Sequence, residues 1–343
     1  MRGDVFTILL VLPDSGSVGY SFVFINNHRF VVPSQCYIKL NNGATSLSRQ
    51  FHLGNAGPLR YTVKSPLECR ISSVRYLGGN ETDRSFHHIV IEHNGLYNFE
   101  PGQYCGVLPP GISERTNRPH PPRSYSLAPV LEEDGVDPKS CFSLGIRAPV
   151  IPPGSESLFR NICICSQFLS NAKPGTPVRI TGPFGKFVLS PEDLQGKNNL
   201  MFIATGTGIV PCMGFLKSLL KAYTEGDKEF GNILLLFGIQ TPSTLLYRSV
   251  LDDYVERLGG RFVYIPCYSR FGDESDRCYV QDKILKAQDI IKSMCCEGGR
   301  QCSIFVCGRK SMEKAVTSSL QTVFADMPQS DTILSNMKVE VYQ

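Results

Sequence analysis

The hydrophobic pattern changes rhythm once, near residue 195. Between Glu68 and about Leu189, apolar residues fall in short runs: Cys69–Val74, Phe86–Glu92, Tyr104–Leu108, Ser124–Ala128 and Cys141–Arg147. Clusters of Gly, Pro and Asn separate them. Short runs bounded by turn residues predict strands, and a series of them predicts an antiparallel barrel or sandwich. Pro109–Pro122, with five prolines, predicts a loop, and Ser157–Leu169 predicts a short helix closing the barrel. From Asn198 strand and helix patterns alternate. Leu200–Ala204 reads as a buried strand, and Ile209–Tyr223 carries apolar residues at 209, 210, 213, 216, 219, 220 and 223, a helical period. Ile233–Phe237, Leu245–Arg257, Phe262–Tyr268, Gln281–Lys292, Ser303–Cys307, Met312–Phe324 and Lys338–Tyr342 continue the alternation, which predicts a doubly wound parallel sheet. The fold expected is therefore a two-domain β plus α/β chain, with an antiparallel β-barrel over 61–190 and an α/β domain over 195–343.

Residues 1–60 read as a signal or transit leader. Val5–Leu12 is an apolar run of eight, too short to span a bilayer but suited to a signal core. From Ser15 to Leu67 there is no acidic residue, while Arg29, Lys39, Arg49, Arg60 and Lys64 lie among Ser, Asn and Thr. Transit peptides have this composition. A disordered or strand-bearing extension is the other reading. Removal of a leader would place the protein in an organelle; a leader that does not function would leave it cytoplasmic. No later stretch is long and apolar enough to cross a membrane.

The charge of +4 resides in the first 67 residues, which hold six basic and two acidic side chains; the remainder is neutral. Net charge therefore gives no support to a nucleic-acid partner, and an acidic partner must be met by a local patch. The thirteen cysteines include Cys163/Cys165 and Cys295-Cys296, but there is no CxxC pair and no nearby histidine. That favours neither a zinc site nor a disulfide scaffold and predicts buried or free thiols in a reducing compartment.

Candidate chemistry sits at four places. Thr205-Gly206-Thr207-Gly208-Ile-Val-Pro211 follows a strand and opens a helix, so glycine backbone and free helix N–H groups can meet a pyrophosphate. Pro211 suits a first helical turn. The turn is not GxGxxG, and a purely structural turn is the competing reading. Arg123-Ser-Tyr125-Ser126 leaves the proline-rich loop; arginine can clamp phosphate, tyrosine can lie on a heterocycle and serine can bond a ring nitrogen. Without other evidence it reads first as an edge strand with a surface arginine. Ser269 and Arg270, followed by Arg277 and Tyr279, suit a ribose 2′-phosphate, with an exposed basic loop as the alternative. Cys307-Gly308 ends a strand, where a lone cysteine is most often core. Glu340 and Tyr342 lie on the terminal strand and mean nothing in isolation.

Together, Arg123–Ser126, Cys165-Ser166 with Phe168-Leu169, Gly206–Pro211, Tyr279-Val-Gln281, Cys307-Gly308 and Val339-Glu-Val-Tyr342 resemble the plant-type ferredoxin–NADP reductase family, from about Tyr61 onward. Tyr61-Thr-Val-Lys-Ser-Pro and His93-Asn-Gly-Leu look most like the relict-plastid (apicoplast) forms of parasitic protists. The resemblance implies an FAD-binding barrel, an NADP(H)-binding α/β domain, and electron transfer between NADPH and an acidic [2Fe–2S] ferredoxin. An NAD(P)H reductase of the same fold serving a haem protein, or a flavin scaffold without turnover, is the alternative. No resident metal is implied.

The implied roles fall residue by residue. Arg123 holds the FAD pyrophosphate, Tyr125 stacks on the flavin, Ser126 lies beside its N5, and Cys165 and Ser166 contact its phosphates. Arg147 joins the cofactor-binding set. Gly206, Thr207, Gly208 and Pro211 meet the NADP pyrophosphate, while Ser269, Arg270, Arg277, Tyr279 and Gln281 read the 2′-phosphate and adenine. Cys307 lies beside the nicotinamide, Glu340 near the flavin, and Tyr342 over the flavin face. Arg115, Arg118 and Lys64 are the expected ferredoxin-docking cations. Three positions depart from the pattern: Ile151 where a tyrosine is usual, Pro129 in place of a serine, and Gln343 beyond the terminal tyrosine.

Overall fold

Alternation starts the barrel: Leu67, Cys69 and Ile71 are buried between exposed Glu68 and Arg70. The computed structural model describes residues 20–25, 28–33, 60–79, 84–152, 154–155, 163–226, 230–296 and 299–342. Met1–Gly57 and Pro58–Gln343 are separate compact units. In the first, β1 (Tyr20–Ile25) and β2 (His28–Pro33) pair as an antiparallel hairpin inside the stretch read as a leader. Apart from Arg60, the rest of that leader, and Gln343, lie outside the described residues.

In the second unit, β3 (Leu67–Gly79), β4 (Arg84–Glu92), β5 (Tyr104–Leu108), β8 (Arg123–Pro129), β9 (Cys141–Pro149) and β10 (Pro177–Phe184) close an antiparallel barrel in the order β10-β3-β4-β9-β8-β5. Closure leaves no unpaired edge. Ile71, Ile89, Val107, Leu127, Phe142 and Leu144 fill it. Between β5 and β8, the stretch expected as a loop carries a small hairpin, β6 (Ile112–Ser113) with β7 (Arg118–Pro119). The closing strand β10 was not among the expected runs. Its alternation at Val178 and Ile180 is cut short at Gly182-Pro183, where pairing with β5 slips register. The expected helix over Ser157–Leu169 is seen as Ile164–Ser170, and residues 156–162 lie outside the described set.

The α/β half holds β11 (Asn199–Thr205), β12 (Ile233–Ile239), β13 (Phe262–Tyr268), β14 (Cys302–Arg309) and β15 (Lys338–Tyr342), all parallel in the order β13-β12-β11-β14-β15. Strands β11 and β12 are buried along almost their whole length, as strands covered on both faces must be. The helix expected at Leu245–Arg257 starts only at Arg248, because Pro242–Thr244 forms a 3-10 turn and Tyr247 takes a left-handed conformation at φ 59°. The Gln281–Lys292 helix is two helices, Val280–Lys286 and Gln288–Cys296. Buried Val280, Ile284, Ala287, Ile291 and Met294 keep helical spacing through the break, so the pattern does not reveal it. The short helix Ser330–Ser335 was missed because only Ile333 in it is buried.

Barrel and sheet share one core. Phe86, Ala128 and Leu131 from the barrel pack with Val210, Met213 and Leu246 from the sheet side. Gly214 of the Ile209–Glu225 helix permits this approach, since a Cβ there would lie 2.9 Å from Pro101 and 3.2 Å from Pro129. Pro129, one of the departures, is therefore a contact between the halves. A polar latch crosses the same boundary. Buried His88 on β4 meets the Tyr247 hydroxyl at 3.1 Å and Asp134 at 3.0 Å. Asp134 accepts from Leu131 N–H at 2.7 Å and pairs with Arg75, which also pairs with Glu133. Lys217 donates to the Val130 carbonyl from the other side.

Among the described residues no helix is long and apolar enough to cross a membrane, and no cluster of His, Cys, Asp or Glu could hold a metal ion. The cysteines whose side chains are described are free thiols, all buried except Cys163.

Candidate active site

The strand order of the sheet reverses between β11 and β14, and open α/β sheets bind ligands outside the carboxyl ends of strands at such a point. Here the turn Gly206–Gly208 leaves β11 and packs on the end of β14. A Cβ on Gly208 would stand 2.2 Å from the Cys307 carbonyl, so only glycine lets helix and strand approach this closely. Gly206, at φ 54°, faces open space; a Cβ there would meet only the Tyr342 hydroxyl, at 3.7 Å.

This point opens into a cleft of about 1000 Å³ walled by barrel strands on one side and sheet ends on the other. Such a volume is at the upper end of ordinary small-molecule sites, as two dinucleotides require. The cleft is lined by five arginines, Arg84, Arg123, Arg147, Arg270 and Arg309, and by one carboxylate, Glu340. Burial raises the Glu340 pKa. The Arg147 guanidinium is held below its usual basicity by burial and then by the charges of Arg309 and Arg84. In a neutral domain this is a local field for a polyanion. The donor set and the open glycine turn fit the phosphates of FAD and NADP(H).

The barrel wall carries Arg123, Tyr125 and Ser126 on β8. Tyr125 donates its hydroxyl to the Cys165 sulfur, which fixes the ring; burial raises the pKa of the tyrosine and pushes the thiol up to about 11. Cys165 is thus a protonated anchor rather than a reactive thiolate. Ser166 donates to the Cys163 carbonyl at 3.0 Å and faces the same space. Ser126 has no protein hydrogen-bond partner among the described residues, so its hydroxyl is available to a ligand.

On the sheet wall, Ser269, Arg270, Tyr279 and Gln281 line the cleft beyond β13. The Arg270 N–H is anchored on the Gln240 carbonyl at 2.9 Å, and Ser269 donates its N–H and hydroxyl to the Ile239 carbonyl. Tyr342 donates to the Thr205 carbonyl at 2.7 Å and accepts from the Thr207 hydroxyl and the Gly208 N–H. Its hydroxyl thus occupies donors of the glycine-rich turn.

Of the expected residues, Arg123, Tyr125, Ser126, Arg147, Cys165, Ser166, Gly206, Thr207, Ser269, Arg270, Tyr279, Gln281, Glu340 and Tyr342 converge on this one cleft. Cys307 does not line it: the residue is 1% exposed, directly beneath the wall, opposite Glu340 in the β14/β15 register. Gly208 and Pro211 are buried behind the turn, and Arg277 is exposed on the loop after β13 without reaching the cleft. Ile151 is half-buried and off the cleft. Arg84 and Arg309 were missed, because a single arginine at a strand end carries no periodic signal.

Residues 202–318 match the family described as oxidoreductase NAD-binding domain. The root-type chloroplastic ferredoxin–NADP reductase of Nicotiana tabacum is 34% identical over 294 residues, covering 82% of this chain and 77% of that relative. The chloroplastic root isozyme of Oryza sativa subsp. japonica is 33% identical over 301 residues, covering 84% and 78%. Among solved structures, ferredoxin–NADP+ reductase from Plasmodium falciparum superposes with a TM-score of 0.64 at 28% identity, covering 82% of this chain and 98% of the other. The same enzyme with 2′P-AMP superposes equally well at 26% identity. With its barrel, its parallel sheet and these relatives, the chain belongs to the plant-type ferredoxin–NADP reductase family.

Proposed function

We propose that this chain is an FAD-dependent oxidoreductase that carries electrons between NADPH and ferredoxin, using the cleft between barrel and sheet. The observation that supports this best is one cavity uniting an Arg-Ser-Tyr-Ser strand, a glycine-rich turn at the switch point and five arginines against one carboxylate. Bound FAD would supply the exchange between a two-electron hydride donor and a one-electron acceptor. The chain's task is to hold the two rings in reacting geometry and keep water out.

In this reading Arg123 and Ser166 grip the FAD phosphates, and Tyr125, pinned by Cys165, supplies a flat wall. Ser126 offers its free hydroxyl to the reacting ring. Thr207 and the surrounding glycines meet the NADP pyrophosphate; Ser269, Arg270, Tyr279 and Gln281 take the 2′-phosphate and adenine. Glu340 holds a proton at its carboxyl to higher pH than an exposed glutamate, and buried Cys307 shapes the floor beneath it. Exposed Arg115, Arg118 and Lys64 are our choices for steering an acidic [2Fe–2S] ferredoxin. The plant relatives are chloroplastic by name, and we infer a plastid location; the acid-free stretch from Ser15 to Leu67 and the likeness to the Plasmodium enzyme favour the apicoplast.

The test is the absorption spectrum of purified protein before and after NADPH, followed by cytochrome c reduction with and without added ferredoxin. Bleaching of a flavin and ferredoxin-dependent reduction are expected. Reduction of a haem protein at full rate without ferredoxin would favour the haem-reductase alternative, and no bleaching would leave a scaffold.

Two substitutions probe the nucleotide side. Arg270→Gln is expected to raise the NADPH KM roughly tenfold and leave NADH almost unaffected, since a charge-assisted bond to one phosphate is lost. Arg277→Gln, off the cleft, should move it less. Equal losses with NADPH and NADH would remove Arg270 from the 2′-phosphate. Tyr342→Ser is expected to tighten NADP+ binding by about tenfold, because the tyrosine hydroxyl no longer competes for the Gly208 N–H, and to relax the preference for NADPH. Unchanged affinity and preference would show that the ring and the nucleotide do not compete.

A further inference from the structure

Arg147 and Arg309 come from opposite walls of the cleft. Arg147 lies on β9 of the barrel, paired with Phe86 of β4, whereas Arg309 is the last residue of β14 in the sheet, paired with Tyr342. Both line the same cavity, with Arg84 as a third cation nearby. Neither Arg147 nor Arg309 has an ion-pair partner among the described residues. Guanidinium groups do not shed their protons, so this repulsion persists at every physiological pH. The fork of each group matches phosphate oxygens, and a phosphate between the two would relieve the repulsion. The helix Lys310–Phe324 starts immediately after Arg309, with Ser311, Met312 and Ala315 on the cleft, so its positive end faces the same volume.

Strand order decides which phosphate. Arg270 follows β13, and Arg309 ends β14, three steps across the sheet through β12 and β11. At roughly 4.8 Å per step the two strand ends lie about 14 Å apart, a spacing that the two ends of one dinucleotide can span. With the 2′-phosphate at Arg270 and the glycine-rich turn of β11 between, the group reaching β14 is the nicotinamide-side phosphate of the pyrophosphate.

We propose that Arg147 and Arg309 form a two-sided clamp on the pyrophosphate of the nicotinamide dinucleotide, closing barrel wall and sheet wall on one anion. This rests on the reading of the cleft as a dinucleotide site. It makes Arg309 a binding residue that acts on the half of the ligand where specificity for the 2′-phosphate is not decided.

Calorimetric binding of NADP+, 2′-phospho-AMP and inorganic pyrophosphate to full-length wild type, Arg309→Gln and Arg309→Lys tests the clamp. Arg309→Gln should weaken NADP+ and pyrophosphate about tenfold and leave 2′-phospho-AMP unchanged, because that fragment keeps the adenosine-side 5′-phosphate but lacks the nicotinamide-side one. Arg309→Lys should recover part of the loss, charge without the fork. Combining Arg309→Gln with Arg147→Gln should cost less than the sum of the two, since both grip one group. An unchanged unfolding midpoint, expected for an exposed side chain, separates binding from folding. Equal affinities in wild type and Arg309→Gln would overturn the clamp while the dinucleotide reading stands. Weakened 2′-phospho-AMP would overturn it by moving Arg309 to the adenosine half of the ligand. Pyrophosphate binding that depends on Arg309, in a protein that ignores NADP+, would overturn the dinucleotide reading and with it the clamp, leaving a bare anion site. Binding of neither by the wild type would overturn both.

Discussion

Asp134→Ala is expected to destabilise the folded chain by about 3–5 kcal/mol. The Asp134 side chain is 3% exposed and serves three partners: His88 at 3.0 Å, the Leu131 N–H at 2.7 Å and Arg75 at 3.4 Å. Removal leaves a buried donor at Leu131 and a buried imidazole without their acceptor, and each unsatisfied group carries its own desolvation cost. The loss also crosses the boundary between barrel and sheet, because His88 is the partner of Tyr247. Tyr247 and Val210 in turn support Gly145 in the cleft wall; a Cβ on Gly145 would lie 3.0 Å from the Tyr247 hydroxyl and 2.3 Å from Val210.

Asp134→Asn, which keeps an acceptor, should cost less. Urea unfolding at neutral pH measures the difference, and a loss below about 1 kcal/mol would mean the latch is solvated. The pH dependence has a definite sign. Burial favours the protonated carboxyl, but the bonds from His88 and Leu131 and the charge of Arg75 outweigh it and lower the Asp134 pKa. The stabilisation is therefore complete above the ordinary aspartate range, near pH 4, and is lost as pH falls through the lowered folded-state value. Wild type and Asp134→Ala should converge in acid.

Ser126→Val is expected to slow flavin reduction by NADPH about a hundredfold while FAD stays bound. Ser126 sits on β8 opposite Tyr104 of β5, next to Leu127, which pairs with Leu144 of β9, so the barrel fixes its place on the strand. That hydroxyl has no protein partner among the described residues and faces the cleft. Valine removes the polar contact and adds a methyl group at the reacting ring, and a small misplacement of reacting groups costs rates of that order. The FAD phosphates, assigned to Arg123 and Ser166, are untouched. Stopped-flow bleaching gives the rate, and the flavin content of the purified variant gives retention. A wild-type rate would place the reacting ring elsewhere; loss of flavin with an unchanged rate per bound flavin would make Ser126 a holding residue only.

The pattern along the chain determined the elements whose burial is periodic and local. Strands β3, β4, β5, β8 and β9, the alternation from β11 to β15 and the helix after Gly208 are legible because each repeats its apolar residues at the period of its own geometry. The glycine-rich turn and the Arg-Ser-Tyr-Ser strand were legible because their groups are contiguous. Tertiary structure alone decided how these pieces meet. Closure through β10 depends on pairing with β3 and β5, which are distant in sequence. The break between Val280–Lys286 and Gln288–Cys296 leaves the apolar spacing intact, so periodicity could not report it. Arg84 and Arg309 become cleft residues, and His88, Asp134 and Tyr247 become one latch, only because strand order and a shared core bring them together. Periodicity encodes which face of an element is buried. It carries no record of which buried face lies against which, and the charges and hydrogen bonds that act across those contacts appear only when the chain has closed.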